Sequence, residues 1–440
     1  MASSGFENIA KIPELKRRIG WVLILLAVYR IGVFIPTAGI DGARLKSFIG
    51  QQSGTLFGLF NMFSGGSFQR FSIFTLGIMP YISSSIIFSL LTAVIPSLEA
   101  MQKEGEAGRK KITRYTRYGT VLLSVIQGFG ISVWLESLQV GNMGVVNEPG
   151  WGFRLMTILT LTAGTSFLMW IGEQINEHGI GNGISLIIFA GIVASIPSAL
   201  RNTFQLFQNN ELQFFTLLFL IALMVVVIAA IIYFETAQRR IPIQYAKKVV
   251  GRKVYAGQST HLPLKINSSG VIPPIFASSI LLFPATLASF IELPFISQLQ
   301  SSLQPGSLFY NVVFVSLIIF FCFFYTALQI NPNDMADNLK KYGGYIPGIR
   351  PGKKTAEFID RVLSRVTTGG AIYLCVVCVL PTILITKLNV PFYFGGTALL
   401  IVIGVALDTI SQIESHLLTH QYEGFMGGGT RSRRLRGRKG

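Results

Sequence analysis

Charged residues are scarce in this 440-residue chain: Asp, Glu, Lys and Arg make up 13% of it, whereas 50% of its residues are hydrophobic. A soluble domain carries about 25% charged residues. The mean hydropathy of +0.54 agrees with this pattern. The composition excludes an ordinary soluble protein and indicates a chain that crosses a membrane several times. The first 18 residues are polar and no small-residue cleavage site follows the first apolar run, so we expect no signal peptide.

The residue types that catalytic and metal sites require are also rare. There are 3 cysteines and 4 histidines. Cys322, Cys375 and Cys378 lie in apolar runs without a neighbouring His or acid, so we interpret them as buried thiols and not as a metal or redox site. The chain contains neither HExxH nor the phosphate loop G-x-x-x-x-G-K-[ST]. We therefore expect no enzyme activity and no cofactor, and energy would come from a partner.

Ten runs of low charge are predicted to cross the membrane. They are residues 19–38, 71–95, 118–138, 151–171, 184–200, 212–234, 270–290, 308–330, 367–387 and 391–412. Of the 37 Lys and Arg residues, 30 fall at the N-terminus, in the gaps 96–117, 235–269 and 331–366, and in the tail after residue 412. Because positive residues favour the cytoplasmic side, we expect both termini to be cytoplasmic.

Two of the predicted cytoplasmic gaps, 235–269 and 331–366, are longer than the topology needs. Loops longer than about 15 residues are usually functional or disordered. In the first, IPIQYA and VVGRKVYA are predicted to be the two strands of a hairpin, and the second has a turn-rich piece followed by a helix. Their aromatic and basic residues favour docking platforms. A role as orientation signals alone is the alternative.

Residues 55–96 contain a span with an irregular beginning. The run 71–95 is long enough to cross a bilayer, whereas 56–63 is too short, and SGGS at 64–67 separates them. We predict a short helix, a flexible hinge and a full span. Irregular backbone at membrane depth is tolerated only where it is buried in protein or lines an aqueous cavity. The segment therefore suggests a cavity, and an ordinary surface loop is the alternative.

Ionisable residues within the predicted spans are few, namely Arg30, Glu136, Arg154 and Asp408. An ion-coupled transporter needs charges near the midplane, so this scarcity weighs against a secondary transporter. Spans one to five and six to ten begin on opposite sides, as in an inverted repeat around a central pathway. A transporter and a scaffold without a conduction path remain the alternatives to a channel.

Five motifs resemble the bacterial SecY family, the channel subunits of the Sec translocon, in the same order and over essentially the whole chain. They are GIMPYISSSII at 77–87, GIGNGISLIIFAGIV at 179–193, GQSTHLPLKINSSGVIPPIFASSI at 257–280, IPGIRPGKKTAEFID at 346–360 and GGTALLIVIGVALD at 395–408. The resemblance implies an all-α polytopic membrane protein with ten transmembrane helices in two inverted five-helix halves around a central hourglass pore. The halves would be residues 1–200 and 201–430, followed by a basic tail at 431–440.

The resemblance also implies a pore ring, a plug at about 58–71 and a lateral gate. The pore ring would consist of Ile82, Ile86, Ile184, Ile188, Ile275 and Ile401. The plug would include Gly58, Leu59, Phe60, Asn61, Met62, Phe63, Ser64, Gly65 and Gly66, with the two glycines as its hinge. Candidate polar contacts of the gate are Thr92, Gln127, Ser278 and Ser279, for which ordinary interhelical hydrogen bonding is the alternative.

An isoleucine ring would exclude ions by desolvation and gate by dewetting, although Ile at i and i+4 in a membrane helix most often means packing alone.

The implied function is a passive channel in the cell inner membrane that passes unfolded secretory polypeptides and releases apolar segments sideways into lipid. The implied partners are SecE, SecG, the SecA motor ATPase, the ribosome, signal sequences, nascent polypeptides and phospholipid. Lys247, Arg252, Lys253 and Arg350 would bind the cytosolic partners. Lys253 stands where relatives often have Arg, and Lys is the poorer bidentate donor.

Overall fold

Helices dominate the computed structural model of this chain. The residues that the structure describes are 12–51, 61, 64–140, 143–209, 213–245, 248–250, 253–255, 259–288, 307–388 and 396–436. The helices of the first half are α1 (Pro13–Gly32), α2 (Gly42–Gln51), α3 (Ser67–Arg70), α4 (Met79–Val94), α5 (Pro96–Lys103), α6 (Glu106–Ser137), α7 (Trp151–His178) and α8 (Gly183–Gln208). Between α6 and α7, β1 (Gln139–Val140) and β2 (Met143–Gly144) pair antiparallel.

The second half combines helices with short strands. Its elements are α9 (Phe214–Thr236), β3 (Gln238–Tyr245), β4 (Lys248–Val250), β5 (Lys253–Tyr255), β6 (Ser259–Lys265), α10 (Ile272–Ala288), α11 (Leu308–Gln329), α12 (Pro332–Lys341), β7 (Gly344–Tyr345), α13 (Lys353–Leu388) and α14 (Gly396–Arg436). All the strands of this half lie between α9 and α13, in the two long loops that the sequence marks as predicted platforms.

Each of the ten predicted spans overlaps a helix, and the prediction of a polytopic helical membrane protein is confirmed. By length and apolar composition, 7 helices of the described part are able to cross a membrane. Helices α4 and α5, which are bent by 99° relative to each other, would together make an eighth. Large apolar side chains such as Phe215 and Val226 of α9 are exposed, as expected where lipid replaces water as the solvent.

The second span begins later than the sequence predicts. The prediction placed its start at residue 71, but α4 begins at Met79, and residues 71–78 form buried turns. These turns are held by hydrogen bonds to the segment after α1: the Thr37 N–H donates to the Phe71 oxygen (2.8 Å) and the Ile73 N–H donates to the Ile35 oxygen (3.1 Å). An apolar run therefore remains irregular because tertiary hydrogen bonds satisfy its backbone.

The strands of the two long loops pair differently from the prediction. We predicted a hairpin between IPIQYA and VVGRKVYA, but β3 pairs along its length with β6, and VVGRKVY supplies both strands of a separate hairpin, β4 and β5. Strand β7 from the second loop pairs with the other side of β3, at Gln244↔Tyr345 and Tyr245↔Gly344. The two loops are therefore joined in one three-stranded sheet with the order β6-β3-β7.

One hydrophobic core runs through both halves of the chain. In the first half α6 packs against α4 and α7, and in the second half α11 packs against α10 and α13. The halves meet where α4 packs against α10 and where α8 packs against α14. The positions implied for the pore ring lie on these four helices. The division into units 1–200 and 201–430 stays a prediction.

Candidate functional site

The six isoleucines implied for the pore ring lie on the helices that join the two halves. Ile82 and Ile86 are on α4, Ile184 and Ile188 on α8, Ile275 on α10 and Ile401 on α14. All are buried except Ile184, which is half-buried, and none of the other five exposes more than 6% of its surface. All six belong to the main core or pack against it. The six positions thus lie on the four helices through which the two halves contact each other, and their arrangement as a ring around a pore stays a prediction.

Local sequence signals determine where α8 begins and therefore where Ile184 and Ile188 lie along it. Asn182 is the N-cap of the helix, because its side-chain oxygen accepts from the N–H groups of Ile184 (3.2 Å) and Ser185 (3.4 Å). The preceding Gly181 has a φ of +95°, which glycine adopts without strain. The GNG motif at 181–183 therefore starts α8 one residue before Ile184, and Ile188 follows on the same face.

The four candidate gate residues are all buried, but most of their hydrogen bonds stay within one helix. The Thr92 hydroxyl donates to Ser89 (2.8 Å), and the hydroxyls of Ser278 (2.9 Å) and Ser279 (2.8 Å) both donate to the backbone oxygen of Ile275. Ser279 also reaches the sulfur of Met79 on α4, 3.8 Å away. Among the described residues the side-chain oxygen of Gln127 accepts no hydrogen bond. The role of these residues in a gate stays a prediction.

The predicted plug is described only in part. Gly58, Leu59, Phe60, Met62 and Phe63 lie outside the described residues. Three hydrogen bonds join Asn61 to the segment after it. Its backbone oxygen accepts from the Gly66 N–H (2.8 Å) and the Ser64 hydroxyl (3.1 Å), and its side-chain oxygen accepts from the Gln69 N–H (2.9 Å). Asn61 is thus attached to the loop that leads into α4.

Trp134 of α6 contacts the segment before the predicted plug and the last part of the plug itself. Its ring is centred 6.2 Å from that of Phe48 on α2, which precedes the plug, and 6.0 Å from that of Phe68 on α3, which lies near the end of the plug range 58–71. Aromatic pairs at such distances attract each other beyond the apolar area that they bury. This contact is not predictable from the sequence, because the three rings are far apart along the chain.

The sheet of the two long loops has a small hydrophobic core of its own. Ile241 of β3, Leu264 of β6, Ile346 after β7 and Ile359 of α13 are buried together. The Tyr345 hydroxyl also donates to the side-chain oxygen of Gln244 (3.2 Å), which fastens β7 to β3. The two platforms are therefore parts of one rigid surface at the base of α13.

Arg350 projects from this surface. Its side chain is exposed and, in the part of the chain that the structure describes, enters no ion pair. The turn that carries it is held by the Thr355 hydroxyl, which donates to the Arg350 backbone oxygen (3.0 Å). Lys247, Arg252 and the side chain of Lys253 lie outside the described residues. Of the predicted partner-binding residues, the structure thus places Arg350 alone in full.

Two of the few charges within the predicted spans neutralise each other. Arg154 of α7 donates from Nε to a carboxylate oxygen of Glu136 on α6 (2.9 Å), and the other oxygen accepts from the Gly150 N–H (2.9 Å). The pair lies near the ends of both helices, so it joins them and adds no charge at the membrane midplane.

Comparisons with known proteins agree with the motifs. A family model described as SecY matches residues 72–410. The protein translocase subunit SecY of Escherichia coli (strain K12) is 51% identical over 416 residues, which cover 94% of each chain. The SecY of Aquifex aeolicus is 46% identical over 427 residues, covering 96% of this chain and 99% of the relative.

Solved structures share the fold. One described as the structure of a protein conducting channel has a TM-score of 0.63 at 17% identity and covers 91% of this chain and 92% of its own. Sec61 in the canine ribosome-channel complex has a TM-score of 0.63 at 16% identity, with the same coverage.

Proposed function

Because this chain belongs to the SecY family and is a protein-conducting channel subunit, we propose that the six-isoleucine ring closes its passage at rest. The observation that supports this proposal is the burial of ring positions on α4, α8, α10 and α14, the helices through which the two halves contact each other. A ring of aliphatic side chains offers no polar partner to a passing chain, so it fits side chains of varied kind and still seals against ions. The channel itself performs no chemical reaction.

The experiment that tests the ring measures ion flow through the resting channel. In planar bilayers, the complete complex with Ile82→Asn or Ile401→Asn should conduct more ions than the wild type, because a polar group lets water wet the constriction. Ile82→Val keeps the ring aliphatic and should leave the conductance unchanged. Ile171→Asn on α7 is the matched control, since Ile171 is fully buried but outside the ring. Unaltered conductance in both ring variants would contradict the proposal.

The proposal includes sideways release of apolar segments between α4 and α10. A segment gains roughly 0.3–0.6 kcal/mol for each central Leu, Ile, Phe or Val that leaves for lipid, whereas a central Lys, Arg or Asp costs about 2.5–3.5 kcal/mol. Support comes from the contact of these two helices through Met79 and Ser279, which involves no ion pair in the described residues.

The platform formed by β3, β6 and β7 is proposed to receive the cytosolic partners, which are the SecA motor ATPase and the ribosome. The guanidinium of Arg350 supports this role, because it is exposed, forms no ion pair with the described residues, and presents a fixed fork of donors to carboxylates and phosphates. Two of the related structures are a Sec61 and a yeast Ssh1 complex with ribosomes. SecE and SecG are proposed as membrane partners.

We further propose that the protein lies in the cell inner membrane with both termini in the cytoplasm. The distribution of Lys and Arg supports this orientation. A contact between the first and last predicted spans also supports it: Ile12, Leu15 and Arg18 at the start of α1 line one pocket together with His416 of α14, beyond the predicted end of the last span. Ends that meet on one side fit an even number of spans.

A further inference from the structure

Arg30 lies within a predicted span and requires a partner there. Charged side chains inside membrane helices are expensive, and they pair with opposite charges or with backbone carbonyls. In the described residues Arg30 forms no ion pair. Its guanidinium Nη1 donates instead to the backbone oxygen of Gly65, 3.0 Å away. A cation of α1 thus binds Gly65, one of the two hinge glycines of the predicted plug.

Tyr29 adds a second hydrogen bond beside the first. Its side chain is buried, and its hydroxyl donates to the backbone oxygen of Ser64 at 3.4 Å. Two adjacent side chains of α1 therefore bind two adjacent carbonyls. The plug is joined to the same place, since Asn61 accepts from the N–H groups of Gly66 and Gln69.

Gly65 is enclosed between α1 and α8. It has a φ of +66°, and a Cβ atom added to it would lie 2.6 Å from the Tyr29 hydroxyl oxygen and 2.8 Å from the Cα of Gly191 on α8. No larger residue fits this approach, so glycine is needed for close packing as well as for its backbone freedom. The predicted hinge is seated against two helices, and movement of the plug has to begin by breaking these contacts.

A second cation lies beside the Arg30 contact. The guanidinium of Arg70 is 4.1 Å from the centre of the Phe34 ring, and that of Arg30 is 5.9 Å from the same centre. Burial, and after it the charge of Arg30, lower the pKa of Arg70. Arg30 is therefore bound to a neutral carbonyl and stands next to a like charge. Such a contact is easier to release than an ion pair with a buried carboxylate.

We propose that Arg30, assisted by Tyr29, is the positioning residue that holds the hinge end of the predicted plug, at Ser64 and Gly65, against α1 in the closed channel. This inference rests on the proposed function as a gated channel. A hydrogen bond made only in the closed state shifts the population toward that state, and its loss shifts the population toward the open state. A polypeptide that displaces the plug would pull Ser64 and Gly65 away from α1.

Single-channel recording of the complete complex in planar bilayers tests this inference. Arg30→Leu should raise the resting open probability about tenfold or more, because it removes a hydrogen bond with a charged donor. Arg30→Lys keeps a charged donor and should restore most of the closure, and Tyr29→Phe should cause a smaller rise. Arg201→Leu is the matched control, since Arg201 is an exposed arginine of α8. It should behave like the wild type.

Translocation of a secretory polypeptide, measured in vesicles with the same variants, separates a loosened plug from a damaged channel. Raised opening with retained translocation supports the inference. A wild-type open probability in Arg30→Leu, together with raised conductance in Ile82→Asn, would overturn the role of Arg30 and leave the proposed function intact. Equal leakage of Arg30→Lys and Arg30→Leu would also overturn it, because packing and not the charged donor would then hold the plug. If neither Arg30→Leu nor Ile82→Asn raises the resting conductance above that of the wild type, the proposed ring itself is refuted.

Discussion

The sulfur of Met79 lies 3.8 Å from the hydroxyl oxygen of Ser279, and this contact joins the first residue of α4 to α10. Both side chains are buried. The Ser279 hydroxyl already donates to Ile275 on its own helix, so the sulfur is a weak additional acceptor. Met is flexible and polarisable, and it repacks at little cost. The two halves are therefore joined here by a weak contact, which agrees with the proposed lateral gate.

A link across this contact should block lateral release. We expect a Met79→Cys/Ser279→Cys variant, treated with a short reducible thiol crosslinker, to stop releasing apolar segments into lipid, and reductant should restore the release. The measurement is membrane integration of an apolar model segment in vesicles. The two single variants control for the substitutions, and the treated wild type controls for its own thiols, which are buried. Normal integration through the linked protein would rule out release between α4 and α10.

The ten spans and their order were predictable because each is a long local run of apolar residues. The start of α4 was not, because residues 71–78 are as apolar as a helix but are held irregular by hydrogen bonds to Ile35 and Thr37. The pairing of β3 with β6 and β7 was also missed, since it joins segments that are far apart and any of several short strands satisfies the local pattern. The partner of Arg30 is a backbone carbonyl, which leaves no signature in the sequence.

Reversal of the charge at Arg350 should abolish motor-driven translocation. Arg350→Glu removes an exposed cation from a turn that Thr355 and the sheet hold in place. The new carboxylate would also repel any acidic surface of a partner. Insertion of the protein itself into the membrane should be unaffected, because the substitution is exposed and lies outside the spans. The measurement is ATP-driven uptake of a secretory substrate into vesicles that contain the purified complex and motor.

Arg109→Glu is the matched control for Arg350→Glu. Arg109 is also exposed and lies in another predicted cytoplasmic loop. Arg109→Glu therefore changes the net charge by the same amount without altering the sheet. Uptake by this variant should stay close to that of the wild type. If Arg350→Glu translocates normally, or if both variants fail equally, the specific role of Arg350 is refuted.

Asn267 should be a stability determinant of the turn that begins α10. Its side-chain nitrogen donates to Glu235 of α9 (2.7 Å) and to the Gly270 oxygen (3.0 Å), and its side-chain oxygen accepts from the Ser269 hydroxyl (3.1 Å). Asn267 is buried. Asn267→Leu therefore removes three hydrogen bonds at a buried position, at a cost of about 0.5–1.5 kcal/mol each. We expect a melting temperature several degrees lower in detergent, measured by thermal denaturation.

Two further variants distinguish the hydrogen bonds of Asn267 from its volume. Glu235→Gln keeps an oxygen that accepts from Asn267 and should lower the melting temperature less than Asn267→Leu does. Ser268→Ala is the control on the neighbouring position, because the Ser268 hydroxyl is exposed and donates only to Lys265 in the same turn (3.0 Å). Exposed substitutions of this kind usually change stability by less than about 0.5 kcal/mol. An Asn267→Leu protein as stable as Ser268→Ala would show that the turn is held by apolar packing, since Leu supplies apolar contacts and lacks all three hydrogen bonds.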